Sequence, residues 1–261
     1  MAVDHTRTVA VVTGGGQGLG LAIAQRLIAD GCAHLVLGGR DTAKGVAAAD
    51  MLADGGADVV FVAAEMGDPA QAMALIDRAA ERFGRVTALV NAAAITDRAS
   101  ILDCTPAEWD RQMAANARGP FFAIQRLANL AIAAGHPASI VNILSVAAHC
   151  GQSFLAPYSA SKAALLNVTK NAANALTRHR IRVNGLNIGW MDTPGEDAIQ
   201  RKWHDAPPDW LARAEATKPF GSLVKPPSVA GLVSYLLSDD AGVMTGAIID
   251  FDQNVTGSRP E

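Results

Sequence analysis

The chain contains few cysteines, no long apolar run and no marked excess of either charge sign. Its three cysteines, Cys32, Cys104 and Cys150, are odd in number and far apart, which fits neither a disulfide framework nor a zinc site. The 22 basic and 25 acidic residues give a net charge of −3, which argues against a nucleic-acid-binding surface. No uninterrupted apolar stretch reaches the roughly 18 residues of a membrane span, so we expect no membrane partner.

The N-terminal segment also lacks the apolar core of a secretory signal. Met1–Arg7 carries Asp4 and His5 and leads directly into a strand-like run. No proline- or glycine-rich linker divides the chain, and half of its residues are hydrophobic while 18% are charged, enough to bury a sizeable core. We therefore expect one globular domain over residues 1–261, located in the cytoplasm.

Short apolar runs alternate with longer helical stretches to the end of the chain. Continuously apolar strands separated by helices predict a parallel sheet covered on both faces, and the right-handed crossover rule makes this a doubly wound, Rossmann-like α/β fold. About seven strands are predicted, at Thr8–Thr13, His34–Gly38, Val59–Ala63, Ala88–Asn91, Ser139–Leu144, Ile181–Leu186 and Ala247–Phe251. Helices are predicted at Leu19–Ala29, Asp41–Ala53, Pro69–Phe83, Pro106–Ala134 and Pro157–Arg178. The segment at about 193–227, with five prolines and two tryptophans, breaks the alternation and is interpreted as a small substrate lid.

A glycine-rich loop follows the first predicted strand. The sequence Thr-Gly-Gly-Gly-Gln-Gly-Leu-Gly at 13–20 places Gly14, Gly18 and Gly20 between that strand and the first helix. Glycines let the backbone approach a pyrophosphate, whose charge the helix N-terminus favours. A plain tight turn is the alternative, and a P-loop is excluded because no Gly-Lys-Ser/Thr follows.

The end of the second strand bears on which dinucleotide is bound. An acidic residue usually stands there to hold the ribose 2′-hydroxyl of NAD, but here the position is Gly39, followed by Arg40. Arg40 could pair with a 2′-phosphate, which favours NADP(H). Asp41 could instead point toward a ribose and Arg40 could be a solvated surface residue, so NAD(H) stays possible.

Three polar residues after the fifth strand suggest catalysis. Ser145 follows the strand, Tyr158 comes thirteen residues later and Lys162 lies one helical turn beyond it. A free phenol titrates near about 10 and is a poor base at neutral pH, whereas a nearby ammonium favours the phenolate. We predict that Tyr158 and Lys162 point into one cleft, where Ser145 hydrogen-bonds the substrate oxygen.

These motifs together resemble the short-chain dehydrogenase/reductase family, in its standard-length branch, from about Thr8 to Phe251. The matching residues are TGGGQGLG at 13–20, NAAA at 91–94, Asn116, Ser145, YSASK at 158–162 and RVN-x3-IGWMDT at 182–193. The chain departs from the family pattern in NAAA, in Ile188-Gly189 without a proline, and in Asp252-Gln253-Asn254 near the end. None of these departures touches the four predicted catalytic positions.

The resemblance implies a role for each of those four positions. Tyr158 would be the general acid/base, and Lys162 would lower its pKa and hold the nicotinamide ribose. Ser145 would position the carbonyl or hydroxyl group, and Asn116 would support a water in the proton relay.

The resemblance also extends the predicted cofactor site. Asn91 would stabilise the central strand, Glu65 would approach the adenine, and Met191 and Thr193 would hold the carboxamide. The predicted cofactor-binding set is Gly14, Gln17, Gly18, Leu19, Arg40, Glu65, Met66, Asn91, Ala93, Tyr158, Lys162, Met191 and Thr193.

The predicted activity is hydride transfer between a nicotinamide cofactor and a small alcohol or carbonyl compound, without a metal. A tryptophan face beside hydrogen-bonding side chains suits a sugar or polyol. The candidate substrate residues are Ser145, His149, Gln152, Tyr158 and Trp190. The tryptophans, including Trp203 and Trp210, could instead pack the lid against the body of the protein.

Two other functions are alternatives to this oxidoreductase activity. A catalytically silent nucleotide-binding sensor of the same fold would not need all four polar residues. A methyltransferase would have no use for the Tyr158–Lys162 helix. The family resemblance further implies a homo-oligomer, a tetramer.

Overall fold

A parallel seven-stranded sheet forms the centre of the molecule. The computed structural model describes residues 3–258. The strands are β1 (Val9–Thr13), β2 (His34–Gly39), β3 (Asp58–Ala63), β4 (Ala88–Asn91), β5 (Ala138–Ser145), β6 (Ile181–Ile188) and β7 (Ile248–Phe251). Their order in the sheet is β3-β2-β1-β4-β5-β6-β7, and every neighbouring pair is parallel. The predicted doubly wound α/β fold is confirmed.

Helices cover both faces of this sheet. They are α1 (Gly18–Ala29), α2 (Thr42–Ala53), α3 (Pro69–Phe83), α4 (Pro106–Met113), α5 (Gly119–Ala134), α6 (Ala156–Leu176), α7 (Pro194–His204), α8 (Trp210–Ala216) and α9 (Pro226–Leu237). No helix within residues 3–258 has both the length and the apolarity needed to cross a membrane.

Two hydrophobic cores, one on each face of the sheet, explain why the strands are mostly apolar. Along β1, Ala10 and Val12 pack with α1, α2 and α9, whereas Val11 between them packs with α3 and α5 on the opposite face. Successive side chains of a strand point to opposite faces, so a strand buried on both faces needs an apolar residue at every position. This requirement made the strands recognisable in the sequence.

The single helix predicted over Pro106–Ala134 is interrupted. A five-residue π-helical turn, Ala114–Arg118, separates α4 from α5. At the end of this turn Gly119 packs so closely on residue 66 that a β-carbon would lie 1.8 Å from the carbonyl oxygen of Met66. The wider turn also carries Asn116 inward, and π turns of this kind often occur at functional sites.

The sheet order brings the candidate residues to one edge. The neighbours β1 and β4 are not consecutive in the chain, and the connections from β1 and β4 leave the sheet in opposite directions. A crevice opens at such a switch point beyond the carboxyl ends of the strands. Thr13, Asn91 and Ser145 are the last residues of their strands and therefore border this crevice.

The segment at 193–227, interpreted above as a lid, contains the short helices α7 and α8. Trp210 is 6% exposed and forms a small apolar cluster with Ala214 and Leu223. The lid therefore has a core of its own.

Candidate functional site

The glycine-rich loop is a tight backbone cradle. Gly14 has a φ of +70°, a conformation that favours glycine. A β-carbon on Gly20 would lie 2.3 Å from the carbonyl oxygen of Gly14, so no side chain fits there. Thr13 Oγ1 accepts hydrogen bonds from the backbone N–H groups of Ala92 and Ala93, at 3.0 and 3.1 Å, which ties the start of the loop to the end of β4. This close approach of backbone to backbone fits a bound pyrophosphate.

A cavity of about 470 Å³ lies beside this loop. Nine residues of the predicted cofactor set line it, namely Gly14, Gln17, Gly18, Leu19, Arg40, Glu65, Met66, Ala93 and Thr193. Residues far apart in the sequence thus meet on one surface, as a bound dinucleotide would require.

The end of this cavity beside β2 carries two basic side chains. Arg40 lies 3.6 Å from Glu65, measured from Nη1 to Oε2, and both side chains are largely exposed. Lys44, which the sequence reasoning missed, also lines the cavity and donates a 3.0 Å hydrogen bond from Nζ to Gln17 Oε1. Asp41 caps α2, with Oδ1 accepting from the backbone N–H of Lys44 at 3.1 Å. The sequence signal for this second cation was its place in the first turn of α2, four residues after Arg40.

A second cavity, of about 650 Å³, adjoins the first. Leu19, Thr193 and Glu196 line both cavities. Predicted residues that line the second cavity are Ser145, Gln152, Tyr158, Lys162, Trp190 and Met191. The two cavities form one cleft, with the predicted cofactor residues at one end and the predicted catalytic residues at the other.

Tyr158 and Lys162 project from the first turns of α6. The helix starts at Ala156 with Pro157 in its first turn, where a proline is tolerated. Lys162 Nζ lies 5.8 Å from the centre of the Tyr158 ring. It also donates a 2.8 Å hydrogen bond to the carbonyl oxygen of Ile143 in β5, which fixes the amine beneath the cleft.

Burial shifts the pKa of both groups toward the neutral form. It lowers the pKa of Lys162 to about 8. It raises the pKa of Tyr158, with a smaller contribution from the carboxylate of Glu196 in the same direction, while a hydrogen bond with Ser145 and the charge of Arg98 oppose the rise. Lys162 therefore releases its proton more readily than an exposed lysine, whereas Tyr158 holds its proton more tightly than an exposed tyrosine.

Asn116 lies in the π turn, and its side chain bonds to the loop that follows β4 and does not line the cavity. Its Oδ1 accepts from the N–H of Ile95 and its Nδ2 donates to the carbonyl oxygen of Ile95, both at 2.8 Å. Nδ2 also donates to Ser161 Oγ at 3.0 Å, and Ser161 donates to the carbonyl oxygen of Tyr158 at 2.7 Å. Asn116 is thus connected to the Tyr158 backbone through one hydroxyl.

Asn91 is buried below the cleft. Its Nδ2 donates to Asn142 Oδ1 at 2.8 Å, and Asn142 in turn donates to Thr169 Oγ1 at 2.8 Å. This chain of side chains connects β4, β5 and α6. Asn91 Oδ1 is buried and has no hydrogen-bond partner within the described part of the chain.

His149 lies away from the cavity lining. Its Nε2 contacts the side-chain nitrogen of Asn187 and lies 3.3 Å from Asp250 Oδ1, so it faces the ends of β6 and β7. Its role toward a substrate stays a prediction.

The tryptophans occupy different environments. Trp190 lines the second cavity and stacks on Trp210, with ring centres 6.0 Å apart. Trp210 packs with Ala214 and Leu223, which agrees with the alternative that this tryptophan has a packing role. Trp203 is 42% exposed and lies under the amine of Lys202, 4.6 Å from its ring centre.

Four charged residues of the second cavity were not predicted from the sequence, namely Arg98, Glu196, Lys218 and Asp252, and the first two lie close together. Arg98 lies in the loop after β4 and Glu196 lies in the first turn of α7, with 3.8 Å between Arg98 Nη2 and Glu196 Oε1. No motif marks either residue, and only the fold brings positions 98 and 196 together.

Comparisons with known proteins agree with this geometry. A family model described as enoyl-(acyl carrier protein) reductase matches residues 14–256. The chain is 36% identical to 2-(S)-hydroxypropyl-CoM dehydrogenase 3 of Xanthobacter autotrophicus, over 95% of this chain and 96% of the relative. It is 35% identical to an NADP-dependent (R)-specific alcohol dehydrogenase of Lentilactobacillus kefiri, again over 95% and 96%. The crystal structure of levodione reductase superposes with a TM-score of 0.88 at 29% identity, over 95% of this chain and 97% of that one. The chain therefore belongs to the short-chain dehydrogenase/reductase family of oxidoreductases.

Proposed function

We propose that this protein interconverts a secondary alcohol and the corresponding ketone or aldehyde, with NADP(H) as the hydride carrier. The observation that carries the proposal is the meeting of Ser145, Tyr158 and Lys162 in a cavity continuous with the glycine-loop cavity. Bound NADP(H) would supply or accept the hydride. The residues of the chain bind and orient the reactants and move the proton.

The proton transfer is assigned to Tyr158. In the oxidative direction its phenolate takes the proton of the substrate hydroxyl, and in the reductive direction its phenol returns that proton. Lys162 favours the phenolate when it is protonated, and Ser145 holds the substrate oxygen beside Tyr158. Asn116 is proposed to support a water in the proton relay; because its side-chain amide bonds to Ile95 and Ser161, it would do so by positioning the backbone around that water.

The preference for NADP(H) over NAD(H) is supported by the charge beside β2. Gly39 places no carboxylate where a 2′-phosphate would lie, and Arg40 and Lys44 both line that end of the cavity. Asp41 is engaged as the cap of α2. The alternative in which Asp41 contacts the ribose of NAD(H) has less support than a 2′-phosphate contact of Arg40 and Lys44, because Asp41 already caps α2.

The substrate is proposed to be a small alcohol or carbonyl compound, with a sugar or polyol as the first class to try. The cavity of about 650 Å³ has the size of a small-molecule site. Gln152 and Trp190 supply a hydrogen-bonding side chain and an aromatic surface on its wall.

The proposed assembly is a homotetramer in the cytoplasm. The helix α5 presents Phe121 and Ile132, which are 44% and 40% exposed, and exposed apolar side chains are suited to contacts between subunits. Cys32, Cys104 and Cys150 are all free thiols, as is usual in a reducing compartment.

Initial rates test the proposal directly. The purified protein is assayed with NADP⁺ and NAD⁺ over a panel of sugars, polyols and secondary alcohols, with Tyr158→Phe as the matched variant. We expect turnover with NADP⁺ that falls by at least about a hundredfold in the variant. Tight NADPH binding without turnover of any panel member would instead favour the catalytically silent sensor.

A further inference from the structure

Arg98 is a largely buried cation in the wall of the substrate cavity. Its side chain is 12% exposed and lines the same cavity as Ser145 and Tyr158. The charge of Arg98 acts on the pKa of Tyr158, so the guanidinium lies close to the proposed reaction centre. Removing a charge from water is costly unless the charge is paired, so its partner needs to be identified.

Neighbouring groups hold the guanidinium in a fixed orientation. Nη1 donates to the carbonyl oxygen of Thr96 at 3.0 Å, and Nε donates to His204 Nε2 at 3.2 Å. The guanidinium carbon lies 5.4 Å from the centre of the Phe154 ring, which supports one side of the group. These contacts restrain the side chain before any substrate arrives, as a binding residue requires.

The remaining nitrogen, Nη2, has no hydrogen-bond acceptor among residues 3–258. The nearest carboxylate oxygen, Glu196 Oε1, is 3.8 Å away, beyond hydrogen-bond distance. That oxygen already accepts from Trp190 Nε1 at 2.8 Å and from Gln200 Nε2 at 2.7 Å. Among the described residues Nη2 thus forms only this long ion pair, and it can donate a hydrogen bond to a molecule in the cavity.

The charges around the cavity agree with an anionic ligand. Three cationic side chains line it, Arg98, Lys162 and Lys218, against the two carboxylates of Glu196 and Asp252. Lys218 Nζ lies over the ring of Trp190, 5.2 Å from its centre, and adds positive charge on the lid side.

We propose that Arg98 binds a carboxylate of the substrate, so that the protein acts on a hydroxy acid or the corresponding keto acid. This inference rests on the proposed function, since it specifies the substrate of the same cavity. The carboxylate accepts hydrogen bonds from Nη2 of Arg98, which holds the carbinol carbon beside Ser145 and Tyr158. Arg98 is then a substrate-binding residue and contributes mainly to KM for acids.

Matched acids and esters test this assignment. Rates with NADP⁺ are measured for a series of 2-, 3- and 4-hydroxy acids and for their methyl esters, which have the same carbinol and lack the charge. We expect kcat/KM for the best acid to exceed that for its ester by about ten- to hundredfold. Arg98→Gln should remove that difference by raising KM for the acid much more than for the ester, while the loss of a charge that favours the Tyr158 phenolate slows the oxidation of both compounds to a similar, smaller extent.

Two control variants separate binding from folding. Arg98→Lys keeps the charge and should restore part of the acid preference, and the exposed Arg78→Gln makes the same chemical change far from the cavity and should have no effect. Calorimetric titration of the best acid and its ester, with and without NADPH, reads binding independently of turnover. Equal kcat/KM and equal affinity for acid and ester, or equal losses for both in Arg98→Gln, would overturn the assignment.

The rates and affinities for acids, esters and alcohols also distinguish a failure of the carboxylate proposal from a failure of the proposed alcohol–carbonyl activity. Turnover of neutral alcohols and esters but not acids would leave the alcohol–carbonyl activity standing and reject the carboxylate. An acid that binds through Arg98 while no compound of either kind is turned over would reject the proposed function and retain the anion site.

Discussion

Lys162 donates a 2.8 Å hydrogen bond from its ammonium group to the main-chain carbonyl oxygen of Ile143. This bond joins α6 to β5 directly beneath Tyr158. Because the side chain of Lys162 is only 2% exposed, the charged amine lies where water cannot stabilise it, and burial lowers its pKa to about 8. The position is therefore costly for folding and useful for chemistry, a combination common at functional sites.

Replacing this lysine should stabilise the fold while it removes activity. A fall in pKa from 10.5 to about 8 corresponds to about 3 kcal/mol, of which the lost hydrogen bond offsets about 1 kcal/mol. We expect Lys162→Met to raise the free energy of unfolding by about 2 kcal/mol at pH 7, with turnover reduced at least about a hundredfold. Urea titrations and initial rates measure the two effects.

The pH dependence of that stabilisation has a definite sign. Between about pH 8 and pH 10.5 the unfolded chain binds a proton at Lys162 that the folded protein has released, so the wild type gains stability relative to the variant as pH rises. The advantage of Lys162→Met should thus be full below pH 8, vanish before pH 10.5 and become a deficit of about 1 kcal/mol above it, where only the lost hydrogen bond counts. A difference that stays constant over this range would contradict a buried, destabilised ammonium.

The glycine loop should tolerate no side chain at Gly20. A β-carbon there would lie 2.3 Å from the carbonyl oxygen of Gly14, so Gly20→Ala must displace the loop. We expect the affinity for NADPH, read from nicotinamide fluorescence, to fall at least about tenfold. Gly55→Ala is the matched control, because its β-carbon would meet only the carbonyl oxygen of Leu52 at 3.7 Å. Equal affinities in the two variants would mean that the loop does not hold the pyrophosphate.

Cofactor choice should depend on the charge at Gly39. A β-carbon at this position would meet the Phe61 ring at 3.6 Å, an ordinary contact, so Gly39→Asp can be accommodated. Its carboxylate would repel a 2′-phosphate and could accept from a ribose 2′-hydroxyl. We expect the ratio of kcat/KM for NADP⁺ to that for NAD⁺ to fall by about ten- to hundredfold.

The uncharged variant Gly39→Ala separates charge from bulk in that experiment. It should leave the ratio close to the wild-type value. If Gly39→Asp lowered kcat/KM equally for NADP⁺ and for NAD⁺, the region around Arg40 and Lys44 would not be the site of the 2′-phosphate.

The fold was predictable because its signal is local. The buried strands are mostly apolar on both faces, and Ala88–Asn91 and Pro69–Phe83 were predicted with the bounds that the structure has. The break between α4 and α5 was not predicted, since the sequence over Ala114–Arg118 has ordinary helical propensity. Its cause is tertiary, namely the close packing of Gly119 on Met66 and the bonds of Asn116 to Ile95.

The site was predictable where a motif marks it and not elsewhere. The glycine loop and the Tyr158–Lys162 pair have fixed spacings, because their chemistry demands neighbours in one loop or on one helical face. Arg98 and Glu196 have no such spacing, since the loop after β4 and the first turn of α7 meet only in the folded chain. The proposed determinants of substrate choice therefore depend on long-range contacts that a single sequence does not encode as a pattern.

Ser145 should control the pH at which oxidation becomes fast. Burial raises the pKa of Tyr158, and the hydrogen bond from Ser145 opposes that rise by stabilising the phenolate. Ser145→Ala removes this opposing contribution, so the pKa of Tyr158 rises further. The increase of kcat/KM for alcohol oxidation with pH then occurs at higher pH. At neutral pH the rate should also fall by about a hundredfold, because the substrate oxygen loses a partner. Ser145→Thr keeps the hydroxyl and should retain the wild-type profile, whereas an unshifted profile in Ser145→Ala would show that another group titrates.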